Sequence, residues 1–319
     1  MARAAVQRRL NWLRATVLEN RPETARVHRL VFDVPGWSGH LPGQHVDVRL
    51  TAEDGYTAQR SYSLASAPED PRLHLLGERL EGGEVSPYLT DELRSDDLLE
   101  LRGPIGGYFV WSSAVDRDAG QAEGRRPVQL VAGGAGVAPF LAMLDHHRRT
   151  GGSTPVRLLY SARTSDDVLA RDVLGPQTTI TLTREAPADW RGLTGRIDRR
   201  MLEAQTFTPT TRPRVFVCGP TSFVEGTATT LVDLGHDPSW IRLERFGGSG
   251  DPSLPSRRRH PTWRRAPSRS RRSGRTATGR ERSWSRRGPG TPIPFRPLDR
   301  NGGRPAAVPG HGSDREGSL

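Results

Sequence analysis

The segment that most restricts this chain is the glycine-rich turn Gly133-Gly134-Ala135-Gly136-Val137-Ala138-Pro139. It follows an apolar run at residues 128–132 and opens a stretch, 137–149, with helical periodicity. A strand that feeds straight into a helix commits the chain to an α/β layer, because the helix must cross back over the sheet before a parallel strand can pair. Further apolar runs at 156–160, 179–183 and 215–218 alternate with stretches that read as helices at 166–174, 198–203 and 222–234. The alternation predicts a parallel sheet covered on both faces across residues 126–250. Glycines let a backbone approach a phosphate closely, and a helix start offers free N–H groups to it. Pro139 suits a first helical turn, but it stands where the G-x-G-x-x-G fingerprint has its third glycine. Taken alone, the segment also reads as a plain tight turn. Cys218-Gly219-Pro220 ends another strand, so in a parallel sheet both segments point to one crevice.

Residues 1–115 have a different period. Apolar residues alternate at 25–34 (Val27, Leu30, Phe32) and 45–50 (Val46, Val48, Leu50), and further strands fit at 60–64 and 73–80. Spacing this regular predicts an antiparallel β-barrel, here of six strands, with one short helix at 87–93 capped by Ser86. Residues 116–126, charged and glycine-containing, read as the linker between the two halves.

A second candidate site lies in the barrel. Arg60-Ser61-Tyr62-Ser63 sits on a strand, where alternation places Arg60 and Tyr62 on one face and Ser61 and Ser63 on the other. An arginine fork can clamp a phosphate, a tyrosine can stack on a flat ring, and a serine can reach a ring nitrogen. Gly82-Gly83-Glu84-Val85-Ser86 then leads into the short helix, an arrangement suited to a pyrophosphate.

Charge divides the chain again. The net +11 comes from the end: residues 251–319 carry 17 arginines against 5 acids, whereas residues 1–250 carry 30 against 31. There is no lysine, which suggests a GC-rich gene. The terminal stretch is rich in Arg, Pro, Gly and Ser and holds no apolar period, so disorder is expected from about Asp251. Two readings of it stay open. It binds nucleic acid through arginines with Trp263 and Trp284 stacking on bases, or it is the product of a shifted reading frame after Gly250. A single cysteine, Cys218, excludes an intrachain disulfide and a cysteine-ligated cluster or zinc site. No run is apolar enough to span a membrane and no secretory leader is evident, so a cytoplasmic location is expected.

In order, Arg60-x-Tyr62-Ser63, Gly83-x-x-Ser86, Gly103-Pro104-Ile105-Gly106, Gly134-x-Gly136-x-x-Pro139 and Cys218-Gly219-Pro220 resemble the ferredoxin–NADP reductase-like superfamily over about residues 10–250. The resemblance implies an FAD-binding barrel followed by an NAD(P)-binding domain. Arg60 and Ser86, with Gly83 and Val85 in the same turn, would contact the FAD pyrophosphate. Tyr62 would flank the flavin ring, and Ser63 would hydrogen-bond near its N5. Gly134 and Gly136 would receive the nicotinamide dinucleotide's pyrophosphate, with Pro139, Gly219 and Pro220 in the surrounding turns. Cys218 would sit by the nicotinamide, and Glu244-Arg245-Phe246 would close over the flavin. Arg163, Arg184 and Arg196 follow strand ends where a 2′-phosphate would need them, which favours NADPH over NADH; ion pairs with Asp166, Glu185 and Asp198 are the competing reading. The implied activity passes electrons from NADPH through FAD to a separate acceptor protein, a ferredoxin or an oxygenase component, since no cluster-binding cysteines are present. A flavin-binding electron-transfer subunit without turnover of its own is the alternative.

Overall fold

The computed structural model describes residues 10–112 and 126–246, together with Trp263. The expected linker at 116–126 and the expected disordered, possibly frame-shifted, end from Asp251 lie outside the described residues, Arg126 and Trp263 apart.

Six strands form an antiparallel sheet: β1 (Trp12–Pro22), β2 (Val27–Asp33), β3 (His45–Thr51), β4 (Thr57–Ser63), β5 (Leu73–Glu78) and β6 (Leu98–Ile105). Their order is β4-β3-β6-β1-β2-β5. The Leu64–Leu75 bridge brings the two edges together and closes the barrel. Inside it lie Val17, Leu30, Phe32, Val46, Val48, Leu75 and Leu101, all fully buried. Trp263 joins this core: it bridges to Ala52 and is 8% exposed, against the rings of Tyr56 and Tyr88. The expected short helix is one wide, π-type turn, Tyr88–Glu92, and its cap is Pro87 rather than Ser86. The Ser86 hydroxyl instead accepts the Leu80 N–H at 3.1 Å, closing the loop that precedes the turn.

The second half is a parallel sheet of β7 (Val128–Gly133), β8 (Val156–Ala162), β9 (Thr178–Leu182), β10 (Leu193–Thr194), β11 (Arg214–Pro220) and β12 (Ile241–Phe246), ordered β10-β9-β8-β7-β11-β12. Helices α1 (Ala138–Arg149), α2 (Arg199–Gln205) and α3 (Thr221–Asp233) cover it. The pleat sorts the side chains: Phe216 and Cys218 belong to the cluster that contains α1, while Val215 and Val217 pack with Leu202 of α2 and Val224 and Leu231 of α3. The helix expected at 166–174 does not form; a short 3₁₀ turn, Ser165–Asp167, takes its place. Backbone N–H groups that a helix would need are bound elsewhere, that of Leu169 to the Tyr160 hydroxyl and that of Ala170 to Glu23 of the barrel.

The two halves share one apolar cluster. Val27, Ala65, Leu76, Phe109 and Trp111 pack with Phe140, Leu141, Met143 and Leu144 of α1. At the far end of α1, His146 meets Glu69 at 2.7 Å and Arg149 meets Asp70 at 2.8 Å.

Candidate functional site

Strand order places the site. Numbering runs outward from β7 in both directions, so the sheet has its switch point between β7 and β11, and ligands of open parallel sheets bind beyond the strand ends there. Gly133-Gly134 leaves β7 at this point and Gly219-Pro220 leaves β11. Gly134 has φ +55° and no atom within 4 Å of where a Cβ would stand, so its backbone lies bare. Gly136 differs: a Cβ there would lie 2.4 Å from the Cys218 carbonyl oxygen, so its hydrogen lets the helix start pack on β11.

A cavity of about 530 Å³ opens here, lined by Gly133, Gly134, Pro220 and Phe223, by Arg163 and Arg196, and across from them by Thr24, Arg26 and Glu78 of the barrel. Arg163 and Arg196 form no ion pair among the described residues. Arg184 does not line the cavity; its backbone N–H binds the Arg163 carbonyl at 2.9 Å. Gly136, Pro139 and Gly219 are likewise outside the lining.

A cluster of polar groups gathers where barrel and sheet meet. Ser63 pairs across strands with His45, so the two share a face. Cys218 of β11 pairs with Glu244 of β12. The His45 ring nitrogen Nδ1 lies 3.8 Å from Glu244 Oε1, which joins the two pairs. The Ser63 hydroxyl and Glu244 Oε2 are buried with no hydrogen-bond partner among the described residues. An unmet buried polar atom costs about 1–3 kcal/mol, so such atoms mark a place built for a partner. Burial pushes the Glu244 carboxyl up to about 7. The Cys218 thiol is pushed up by burial and then by the Glu244 charge, while burial holds His45 below the usual imidazole range. Phe246 lies beside Pro220 and packs on the shared core.

On the barrel's other strand face, Tyr62 packs against the core and burial raises its hydroxyl, while Arg60 is exposed with its guanidinium on the Gln59 carbonyl. Val85 is buried and Gly83 lies beside the Ser86 hydroxyl. His45, Phe223 and Arg26 were not singled out by motif; His45 carried a signal, since it opens the strand that pairs with Arg60–Ser63, but its partner Glu244 is far off in sequence.

An oxidoreductase FAD-binding domain model matches residues 15–110, and an oxidoreductase NAD-binding domain model matches residues 130–229. Together these stretches cover more than half of the chain; they fall on the barrel and on the parallel sheet up to α3, short of β12. The chain belongs to the family of oxidoreductases that join an FAD-binding domain to an NAD-binding domain. Within this family it is 27% identical over 217 residues to the toluate 1,2-dioxygenase electron transfer component of Pseudomonas putida, covering 66% of the chain and 59% of that relative. The chain spans between about half and three fifths of the length of the curated relatives it matches. Among solved structures, the family fold is shared with the FAD/NAD-binding domain of a Vibrio cholerae nitric oxide dioxygenase (TM-score 0.62, 24% identity, 74% of this chain and 99% of that one). A Neisseria gonorrhoeae ferredoxin NADP+ reductase with bound FAD and NADP aligns similarly (TM-score 0.62, 21% identity, 73% and 98%).

Proposed function

We propose that this chain passes electrons from NADPH, by way of FAD, to a separate acceptor protein, a ferredoxin or an oxygenase component. The observation that carries this reading is the meeting of Ser63, His45, Cys218 and Glu244 where the barrel joins the switch point of the sheet, with two buried polar atoms left for a ligand. FAD, when bound, supplies hydride acceptance and the release of electrons singly. These residues fit it: Tyr62 offers a ring face, Ser63 a free hydroxyl, and Arg60 with the Gly83–Val85–Ser86 loop the phosphate contacts. Phe246 shields the junction.

The remaining chemistry is positional. Gly134 and Pro220 would hold the pyrophosphate of the dinucleotide, with the Gly136, Pro139 and Gly219 turns packed behind them, and its nicotinamide would lie toward Cys218. Cys218, whose thiol burial keeps protonated, would offer that ring a small neutral neighbour. Glu244, whose carboxyl burial raises to about 7, can hold or yield a proton at the junction, 3.8 Å from the His45 ring nitrogen. Arg163 and Arg196, which form no ion pair among the described residues, favour NADPH, with Arg184 bound through its backbone to Arg163. The name of the Pseudomonas putida relative, an electron transfer component of a dioxygenase, supports an oxygenase-type acceptor. No helix among the described residues is long and apolar enough to cross a membrane.

The test is direct. The purified chain, loaded with FAD, is expected to be yellow and to bleach anaerobically faster with NADPH than with NADH. Ser63→Ala should retain FAD yet bleach more slowly. A chain that stays colourless after incubation with excess FAD overturns the proposal.

A further inference from the structure

We infer that Arg26, on the barrel side of the cavity, is a specificity residue for the nicotinamide dinucleotide: it turns from Glu78 to grip the extra phosphate that distinguishes NADPH from NADH. This rests on the NADPH reading above and adds to it a ligand from the other half of the molecule.

The turn that carries Arg26 is rigid. The Thr24 hydroxyl oxygen accepts the N–H groups of Arg26 and Val27 at 3.2 and 3.1 Å, and the Val27 carbonyl accepts those of Glu23 and Thr24. The turn is also fixed to the parallel sheet. Glu23, ion-paired to Arg29, accepts the Ala170 N–H at 3.1 Å, and Val27 is buried in the same cluster as Ala162, Val168 and Leu169. Arg26 therefore stands over the strand end that carries Arg163, and both line the cavity with Arg196.

Charge decides what the cavity takes. Its wall carries three arginines, Arg26, Arg163 and Arg196, against Glu78 and Asp167. Asp167 is already committed, accepting the Thr164 N–H at 3.2 Å and the Thr164 hydroxyl at 2.8 Å. Glu78 faces Arg26 at 3.5 Å, with both side chains partly in solvent at 43% and 30% exposure. That separation exceeds the roughly 2.7–2.9 Å of a charge-assisted hydrogen bond, and exposed pairs of this kind hold weakly. A phosphate carries about two negative charges and three acceptor oxygens, matched to an arginine fork. It outcompetes the single distant carboxylate, and with Arg163 and Arg196 it meets positive charge from both walls.

Adenosine fragments isolate this contact from any reaction of the flavin. The full-length protein is titrated calorimetrically with adenosine 2′,5′-bisphosphate and with adenosine 5′-monophosphate. The wild type is expected to bind the bisphosphate more tightly. Arg26→Ala should weaken the bisphosphate about tenfold while leaving the monophosphate unchanged, the size of one lost charge-assisted bond. Glu78→Gln should tighten the bisphosphate severalfold, because Arg26 loses its competitor. If Arg163→Ala weakens the bisphosphate and Arg26→Ala does not, the Arg26 assignment falls and the NADPH reading stands. If the wild type binds both fragments alike, the NADPH reading falls and Arg26 with it.

Discussion

Burial alone raises the Glu244 carboxyl to about 7, and that displacement has a consequence for stability. Between its ordinary value of 4.5 and about 7 the folded chain holds a proton that the unfolded chain has released, so stability falls as pH rises through that window. The full effect, reached above about pH 7, corresponds to about 3 kcal/mol. His45, held low by burial, has the opposite slope: the unfolded chain binds a proton first as pH falls. Comparing wild type with Glu244→Gln separates the two. The flavin-free variant should match the wild type near pH 5 and exceed it by about 2–3 kcal/mol near pH 8 in urea unfolding. Parallel stability curves for the two proteins would show that Glu244 is ordinary in the folded chain. Arg60, Tyr62, Ser63 and Cys218 could be picked out in the sequence because strand alternation and a lone cysteine mark them. His45 carried only its place on the strand opposite Arg60–Ser63, because what gives it significance is Glu244, nearly 200 residues away in sequence and 3.8 Å away in the fold.

At the scale of elements, period carried most of the reading. β2, β3 and β7 were legible because their apolar residues alternate or run together where the sheet buries them. β1 was not: its register shifts between Val17 and Glu19, which breaks the alternation after Ala15 and Val17. β12 was hidden for another reason, being an edge strand in which only Ile241 is fully buried. The segment at 166–174 has helical composition, yet tertiary hydrogen bonds to Tyr160 and Glu23 take its backbone. The glycine turn was legible as a unit, but the division of labour within it needed the neighbours. Gly136→Ala should force α1 off β11, costing about 1–3 kcal/mol and loosening nicotinamide dinucleotide binding together. Gly134→Ala meets no atoms and bears only the strain of its positive φ, about 1–2 kcal/mol, so its effect on thermal stability should be the smaller of the two. Thermal unfolding with a parallel titration of NAD+ and of NADP+ checks this; equal losses from both variants would contradict the assigned contacts.

Among the described residues, one apolar cluster crosses the boundary between the matched domains. Phe109, from the chain leaving the barrel, is 6% exposed and meets Phe216 edge-on at 5.3 Å and Phe140 at 5.9 Å, both in the parallel sheet's half. A ring shared in this way makes neither half independent of the other. Trp263, by contrast, acts within the barrel. It lies beyond the stretches that match the FAD- and NAD-binding domains, in the arginine-rich region, yet it completes the barrel core between Ala52, Tyr56 and Tyr88. A side chain of this size costs about 3–5 kcal/mol when cut to alanine in a core. Trp263→Ala should therefore lower the urea midpoint and speed amide exchange at Ala52 and around Tyr88, within the barrel, while leaving exchange in β8 and β9 unchanged below global unfolding. Ending the chain after Gly250 should produce the same local loss. If both variants keep wild-type exchange at Ala52, the barrel holds itself together without this residue. Trp263 would then contribute nothing to the stability of the barrel.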